Sequence, residues 1–159
     1  MQHRIQQLIA QLNLQPHPEG GYFAETYRSD ESIYTQNGER NLMTAIYFLL
    51  TSSDISRFHV IASDELWFHH EGSDLSVHVL DESGHHILPL GKKGAHARPQ
   101  QLVPAGKIFG STVDEPNSYA LVSCVVAPGF DFRDFKLMDK AELLEKYPDF
   151  PEIIERLGC

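Results

Sequence analysis

A chain of 159 residues, 42 % hydrophobic and 22 % charged, is enough for one domain with a real core, expected to span 1–159. A formal charge of −9 with no block of Lys or Arg excludes the cationic surface that nucleic acids and anionic membranes require, so neither is expected as a partner. Two cysteines, one in an apolar run (Cys124) and one at the last position (Cys159), exclude a disulfide framework; with no apolar run long enough to span a bilayer and no signal-peptide h-region in residues 1–15, a cytoplasmic location is expected.

Ile5, Leu8, Ile9 and Leu12 fall at i, i+3, i+4, i+7, which predicts a helix over residues 3–13. The segment Gln15 to Gly21, with two prolines and two glycines, ends it. From Tyr22 to about Phe135 the chain alternates short β-branched and aromatic runs with Gly, Pro, Asn, Asp and Ser. Strands spaced about ten residues apart predict a sandwich or barrel. Glu71–Asp74 and Asp81–Gly84 read as hairpin turns, the second placing His85 and His86 in solvent. Asp139 and Glu142 stand in capping-box spacing before a short helix, and Pro151 and Gly158 bracket another.

Chemistry concentrates between Phe58 and Gly72, where three histidines and two glutamates lie among Phe, Trp, Val and Ile. Strand alternation puts His59 with Ile61 on one face, and Glu65, Trp67 and His69 on one face of the next strand. If those strands form a hairpin across Ala62–Asp64, His59 and Glu65 approach as a general acid/base pair, the carboxylate orienting the imidazole. His69, about 13 Å from Glu65 along a strand rising ~3.3 Å per residue, would line the cavity further on. Earlier in the chain, alternation groups Phe23, Glu25 and Tyr27, so that Glu25 or Glu19 and Tyr27 could stand at a pocket rim. Trp67, the only tryptophan, reads equally as a core aromatic or as a ring stacked on a ligand. Phe130, Phe132 and Phe135 read as core and interface packing, and Cys124 as a small apolar core residue.

His-x-Ile-x3-Glu-x6-Gly, from His59 to Gly72, resembles the first cupin motif, and Pro104 to Phe109 resembles the second. The stretches His17–Ser29, Ser63–Gly72 and Val126–Leu137 together resemble the cupin 5 subfamily, a domain of unknown function numbered 985. The resemblance covers nearly the whole chain. It implies an all-β fold, a cupin double-stranded β-helix (jelly-roll) barrel, with an N-terminal helix and short C-terminal helices, that pairs into homodimers. Cupins hold their metal on two His and one Glu of the first motif and one His of the second. His59 and Glu65 occupy two of these positions; Ile61 and Phe109 occupy the others, and Val113 stands where the second motif has Asn. Two ligands are too few for a functional zinc or iron site, so no metal cofactor is expected.

The resulting expectation is a small-molecule-binding barrel. It would be a metal-independent enzyme of epimerase- or isomerase-like proton transfer, with His59 as base, Glu65 as its orienter, and Tyr27, Tyr47 or Tyr119 as acid. Trp67, His69, Tyr27, Glu25 and Tyr47 are the candidate pocket residues. The alternative is a non-catalytic metabolite-binding barrel. A third reading, a metal-dependent oxygenase or isomerase, is disfavoured by Ile61 and Phe109. The homodimer interface is expected to include the strand from Tyr22 to Ser29.

Overall fold

The computed structural model describes residues 1–159. Helix α1 (Gln2–Gln11) leads into thirteen strands: β1 (Gln15–Pro16), β2 (Tyr22–Arg28), β3 (Ser32–Thr35), β4 (Gly38–Asn41), β5 (Thr44–Thr51), β6 (Ile55–Val60), β7 (Asp64–Gly72), β8 (Leu75–Asp81), β9 (Gly84–Leu90), β10 (Gln100–Val103), β11 (Ile108–Thr112), β12 (Tyr119–Ala127) and β13 (Lys136–Leu137). A single 3₁₀ turn, Phe132–Asp134, precedes β13, and α2 (Lys140–Lys146) and α3 (Pro151–Leu157) close the chain. The expected runs from Tyr22 to Val126 fall on strands; the hairpin β3–β4 lies between two of them and was not anticipated.

Two antiparallel sheets face each other. One runs β1-β2-β5-β12-β7-β10 and the other β13-β6-β11-β8-β9. The turn Asp81–Gly84 closes the β8–β9 hairpin as its sequence predicts. The Asp139 side chain accepts the backbone N–H of Glu142 at 3.1 Å and caps α2.

Several strands are apolar on both faces because both faces are covered. Between the sheets, Phe48, Leu50, Ile61, Trp67, Phe109 and Val122 join the main core. Outside the five-stranded sheet, Phe58, Leu80 and Ile108 pack with Leu143, Ile154 and Leu157 of α2 and α3. Outside the six-stranded sheet, Leu49 and Leu121 pack with Ile5 and Leu8 of α1. The apolar helical stripe read from the sequence is the face that α1 buries. With the outer faces covered by helices, the space between the sheets is left as the place for polar groups that need one another.

Candidate functional site

Cross-strand register builds one wall of a cavity in rows. On the inner face of the six-stranded sheet, Arg28, Thr44, Val126 and Glu65 stand opposite one another on β2, β5, β12 and β7. Glu25, Ile46, Cys124 and Trp67 form the next row, and Phe23, Phe48, Val122 and His69 the one after. The register of β2 shifts between Glu25 and Tyr27, so Thr26 is an extra residue and the alternation resets. Arg28 therefore enters the cavity and Tyr27 leaves it, half exposed. The expected grouping of Phe23, Glu25 and Tyr27 fails at that bulge. Phe23 and Glu25 line the cavity and Tyr27 does not.

The opposite wall carries His59 and Ile61, at and just beyond the end of β6. β6 and β7 do not form a hairpin; they lie in different sheets. His59 and Glu65 nevertheless line one cavity, because the sheets face each other across it. The carboxylate that His59 binds is Glu19: His59 Nε2 lies 2.8 Å from Glu19 Oε2, and both side chains are buried. His59 Nδ1 lies 2.6 Å from the Arg57 carbonyl oxygen, which can only accept, so Nδ1 carries a proton. Both ring nitrogens are thus held by the protein. The expected roles of His59 as base and Glu65 as its orienter are replaced by a His59–Glu19 pair with Glu65 beside it.

Glu19 reaches the cavity on the loop after α1. Gly20 has φ +111°, and a Cβ there would sit 1.8 Å from the Ile55 carbonyl oxygen; Gly21 has φ +78°. Only glycines let the loop press against β5 and β6 in this way. Arg57 N–H donates to the Glu19 carbonyl at 2.8 Å, and Gly21 N–H donates to Asp54 Oδ2 at 2.9 Å. The Glu19 N–H donates to His17 Nδ1 at 3.1 Å, seating the His17 ring against Phe23. The paired glycines after His17 and Glu19 are the sequence signal that marks this loop as a close approach.

The electrostatics separate the three acidic and basic groups. For Glu19, burial favours the neutral acid, but the charge and hydrogen bond of His59, with help from His17, outweigh it and lower its pKa. For His59, burial disfavours the cation, but Glu19 and the Arg57 carbonyl outweigh it and raise its pKa. The pair is an imidazolium and a carboxylate. Glu65 is pushed up to about 8, chiefly by burial and further by the nearby Glu19 charge, with His59 opposing. The Trp67 N–H slightly favours the Glu65 carboxylate, but it makes no hydrogen bond of standard geometry and is buried without a partner. At neutral pH, Glu65 is therefore a neutral acid facing the cavity.

The cavity is small, about 80 Å³, against ~300–1,000 Å³ for sites that hold drug-sized ligands. Phe130, Phe132 and Phe135, expected to serve only packing, line it as a mutually edge-on cluster with centroids 4.9–6.1 Å apart. His69 lies beyond Trp67, outside the cavity, with Nε2 donating to the Ser73 carbonyl at 2.9 Å. Tyr47 packs on the outer face of its sheet beneath α1. Tyr119 also lies on that side and donates its hydroxyl to Glu71 at 2.8 Å. None of the three candidate tyrosines lines the cavity, so Glu65 is the proton donor that the cavity offers. His85, expected in solvent, is partly buried, 2.9 Å from Nδ1 of the buried His78.

The donor set does not fit the metal that the cupin motifs imply. Ile61 and Phe109, at two ligand positions, offer no lone pair, and the Phe109 ring packs 4.2 Å from His59, centroid to centroid. No group of three or more His, Cys, Asp or Glu side chains is arranged to hold a metal ion.

Residues 6–138 match the family described as Cupin superfamily (DUF985). An uncharacterised protein of Saccharomyces cerevisiae is 34 % identical over 146 residues, covering 82 % of this chain and 73 % of that one. A hypothetical protein from Leishmania major superposes with a TM-score of 0.89 at 37 % identity, covering 96 % of this chain and 97 % of its own. At 12 % identity and a TM-score of 0.55, a Klebsiella pneumoniae protein with a double-stranded β-helix domain shares the fold alone, over 80 % of this chain and 91 % of that one.

Proposed function

The chain belongs to the DUF985 family of the cupin superfamily, and on that premise we propose that it binds a small molecule between its sheets and exchanges a proton with it without a metal. One observation carries this reading: Glu65 is a buried carboxyl that faces the cavity, makes no hydrogen bond of standard geometry to the protein, and is held neutral at pH 7. Buried polar groups are normally satisfied, and one left open toward a cavity marks where a ligand completes the set. In this scheme Glu65 gives up or takes the proton. The His59–Glu19 pair sets the local field, and Trp67, Ile46 and the Phe130–Phe135 segment exclude water. The reaction class is epimerase- or isomerase-like proton transfer. A second reading, binding without turnover, is favoured by the saturation of both His59 nitrogens, which leaves Glu65 without a second free base.

Trp67 is the only tryptophan and lines the cavity, so its fluorescence reports occupancy directly. A metabolite screen read by Trp67 is expected to give hits that weaken by about 1–3 kcal/mol in Glu65→Gln. Hits that bind the variant undiminished would refute the assignment. Turnover of such a hit separates the enzyme from the binding barrel. A chelator is expected to leave the melting temperature unchanged, because the ligand set cannot hold a structural ion.

We also propose a cytoplasmic homodimer. Only Tyr22 and Phe23 of β2 are covered by β1, so the rest of that edge is unpaired. Nearby in sequence, Tyr27, Ile33, Tyr34, Leu42 and Met43 are exposed apolar side chains. Open edges and apolar surface are what a second copy would bury. Light scattering at micromolar concentration is expected to give twice the 18.0 kDa chain mass, and Tyr27→Glu with Tyr34→Glu to give monomer. A wild-type monomer would refute the dimer.

A further inference from the structure

The ionised groups of the cavity are paired, and one carboxyl is left over. His59 is matched by Glu19 at 2.8 Å, and Arg28 by Glu25 at 2.6 Å, with Asn41 Oδ1 taking a further Arg28 N–H at 2.8 Å. Each cation of the cavity is therefore already committed to a carboxylate. Glu65 is the remaining carboxyl, with no cationic side chain within ion-pair distance and only the poorly aligned Trp67 N–H near it. Around it the lining is hydrocarbon and aromatic: Phe23, Phe48, Trp67, Phe130 and Phe135 contribute rings to a space of about 80 Å³. An uncommitted carboxyl enclosed by aromatic rings complements a positive charge, since rings attract cations through their quadrupole and a carboxylate accepts charged N–H bonds. An anionic ligand would find no free cation there and would meet the carboxylates of Glu19 and Glu25.

We propose that the cavity takes a small organic cation, an alkyl- or aralkylammonium, with its nitrogen on Glu65 and its hydrocarbon part among the rings. The inference rests on the reading of the Glu65 cavity as the ligand site and adds the ligand's chemical class. In proton terms, the ligand arrives already protonated, so neutral Glu65 releases its proton to solvent on binding and the bound pair is ammonium and carboxylate. No oxidant or further reactant is involved. The modest size of the space limits the ligand to a compact amine.

The test uses propylammonium and benzylammonium, each beside its matched alcohol and carboxylate, titrated into the full-length protein. The indole N–H resonance and fluorescence of Trp67 are the readout. The ammonium probes are expected to shift Trp67 saturably at concentrations at least roughly tenfold lower than the isosteres. That preference is expected to vanish in Glu65→Gln. If the alcohols or carboxylates bind more tightly than the ammoniums and depend on Glu65, the cation assignment is overturned while the site stands. If no probe moves Trp67, both the cation assignment and the site fall. The wild-type comparison alone decides the class, so it holds even if the variant folds poorly.

Discussion

Glu19→Leu is expected to destabilise the folded protein by about 3–5 kcal/mol, because it leaves the His59 imidazolium buried without its partner. Glu19 is 6 % exposed and His59 3 %, so water cannot replace the lost carboxylate. Replacing both residues, with His59→Leu added, removes the stranded charge and is expected to recover most of the loss. The signature is non-additivity in urea unfolding. A single-variant cost under about 1 kcal/mol, or additive costs, would show that the two side chains are not a buried ion pair. The pair also carries a pH window. His59 has a raised pKa, so its contribution is whole below the ordinary 6.5 and is lost as pH rises through the raised value. Glu19 has a lowered pKa, so its contribution is whole above the ordinary 4.5 and is lost as pH falls through the lowered value. The cost of Glu19→Leu is therefore expected to be greatest between about pH 4.5 and 6.5.

Glu65→Gln is expected to do the opposite and stabilise the protein as pH rises. A carboxyl raised from 4.5 to about 8 holds its proton in the folded state while the unfolded chain releases it. The unfolded state then binds fewer protons, so stability falls with pH across that interval, by up to about 1.4 kcal/mol per pH unit. Glutamine keeps the shape and the neutral polar group but has no proton to lose. The variant's advantage in unfolding free energy is expected to be near zero at pH 4.5 and to reach several kcal/mol by pH 8. A pH-independent difference, or a less stable variant at pH 8, would mean that Glu65 is ionised in the fold.

The strands of this barrel were legible because their local pattern matches their burial. Tyr22–Arg28, Thr44–Thr51 and Tyr119–Ala127 carry β-branched and aromatic residues between strong turn signals. The face shared by Glu65 and Trp67 followed from alternation, and both line the cavity. What alternation could not supply was the partner of His59. Glu19 reaches it from a loop forty residues earlier in the chain, held by contacts to β6 that no periodic pattern encodes. Likewise the shift in β2 exchanged Tyr27 for Arg28, and a bulge of one residue leaves no periodic trace. The assignment of β6 and β7 to a hairpin failed because the short link Ile61–Ser63 crosses between sheets instead of turning within one. Phe130, Phe132 and Phe135 looked like packing and do pack, but against the cavity.

At neutral pH the cavity holds one neutral carboxylic acid beside one imidazolium–carboxylate pair. Carbon-13 NMR of the glutamate side-chain carboxyls across pH reads it most directly. One carboxyl carbon is expected to titrate near pH 8 and to disappear from the titration in Glu65→Gln, while the Glu19 carbon is already that of a carboxylate below the ordinary range. Every glutamate fully ionised by about pH 6, with none titrating above it, would mean that the cavity holds no neutral acid.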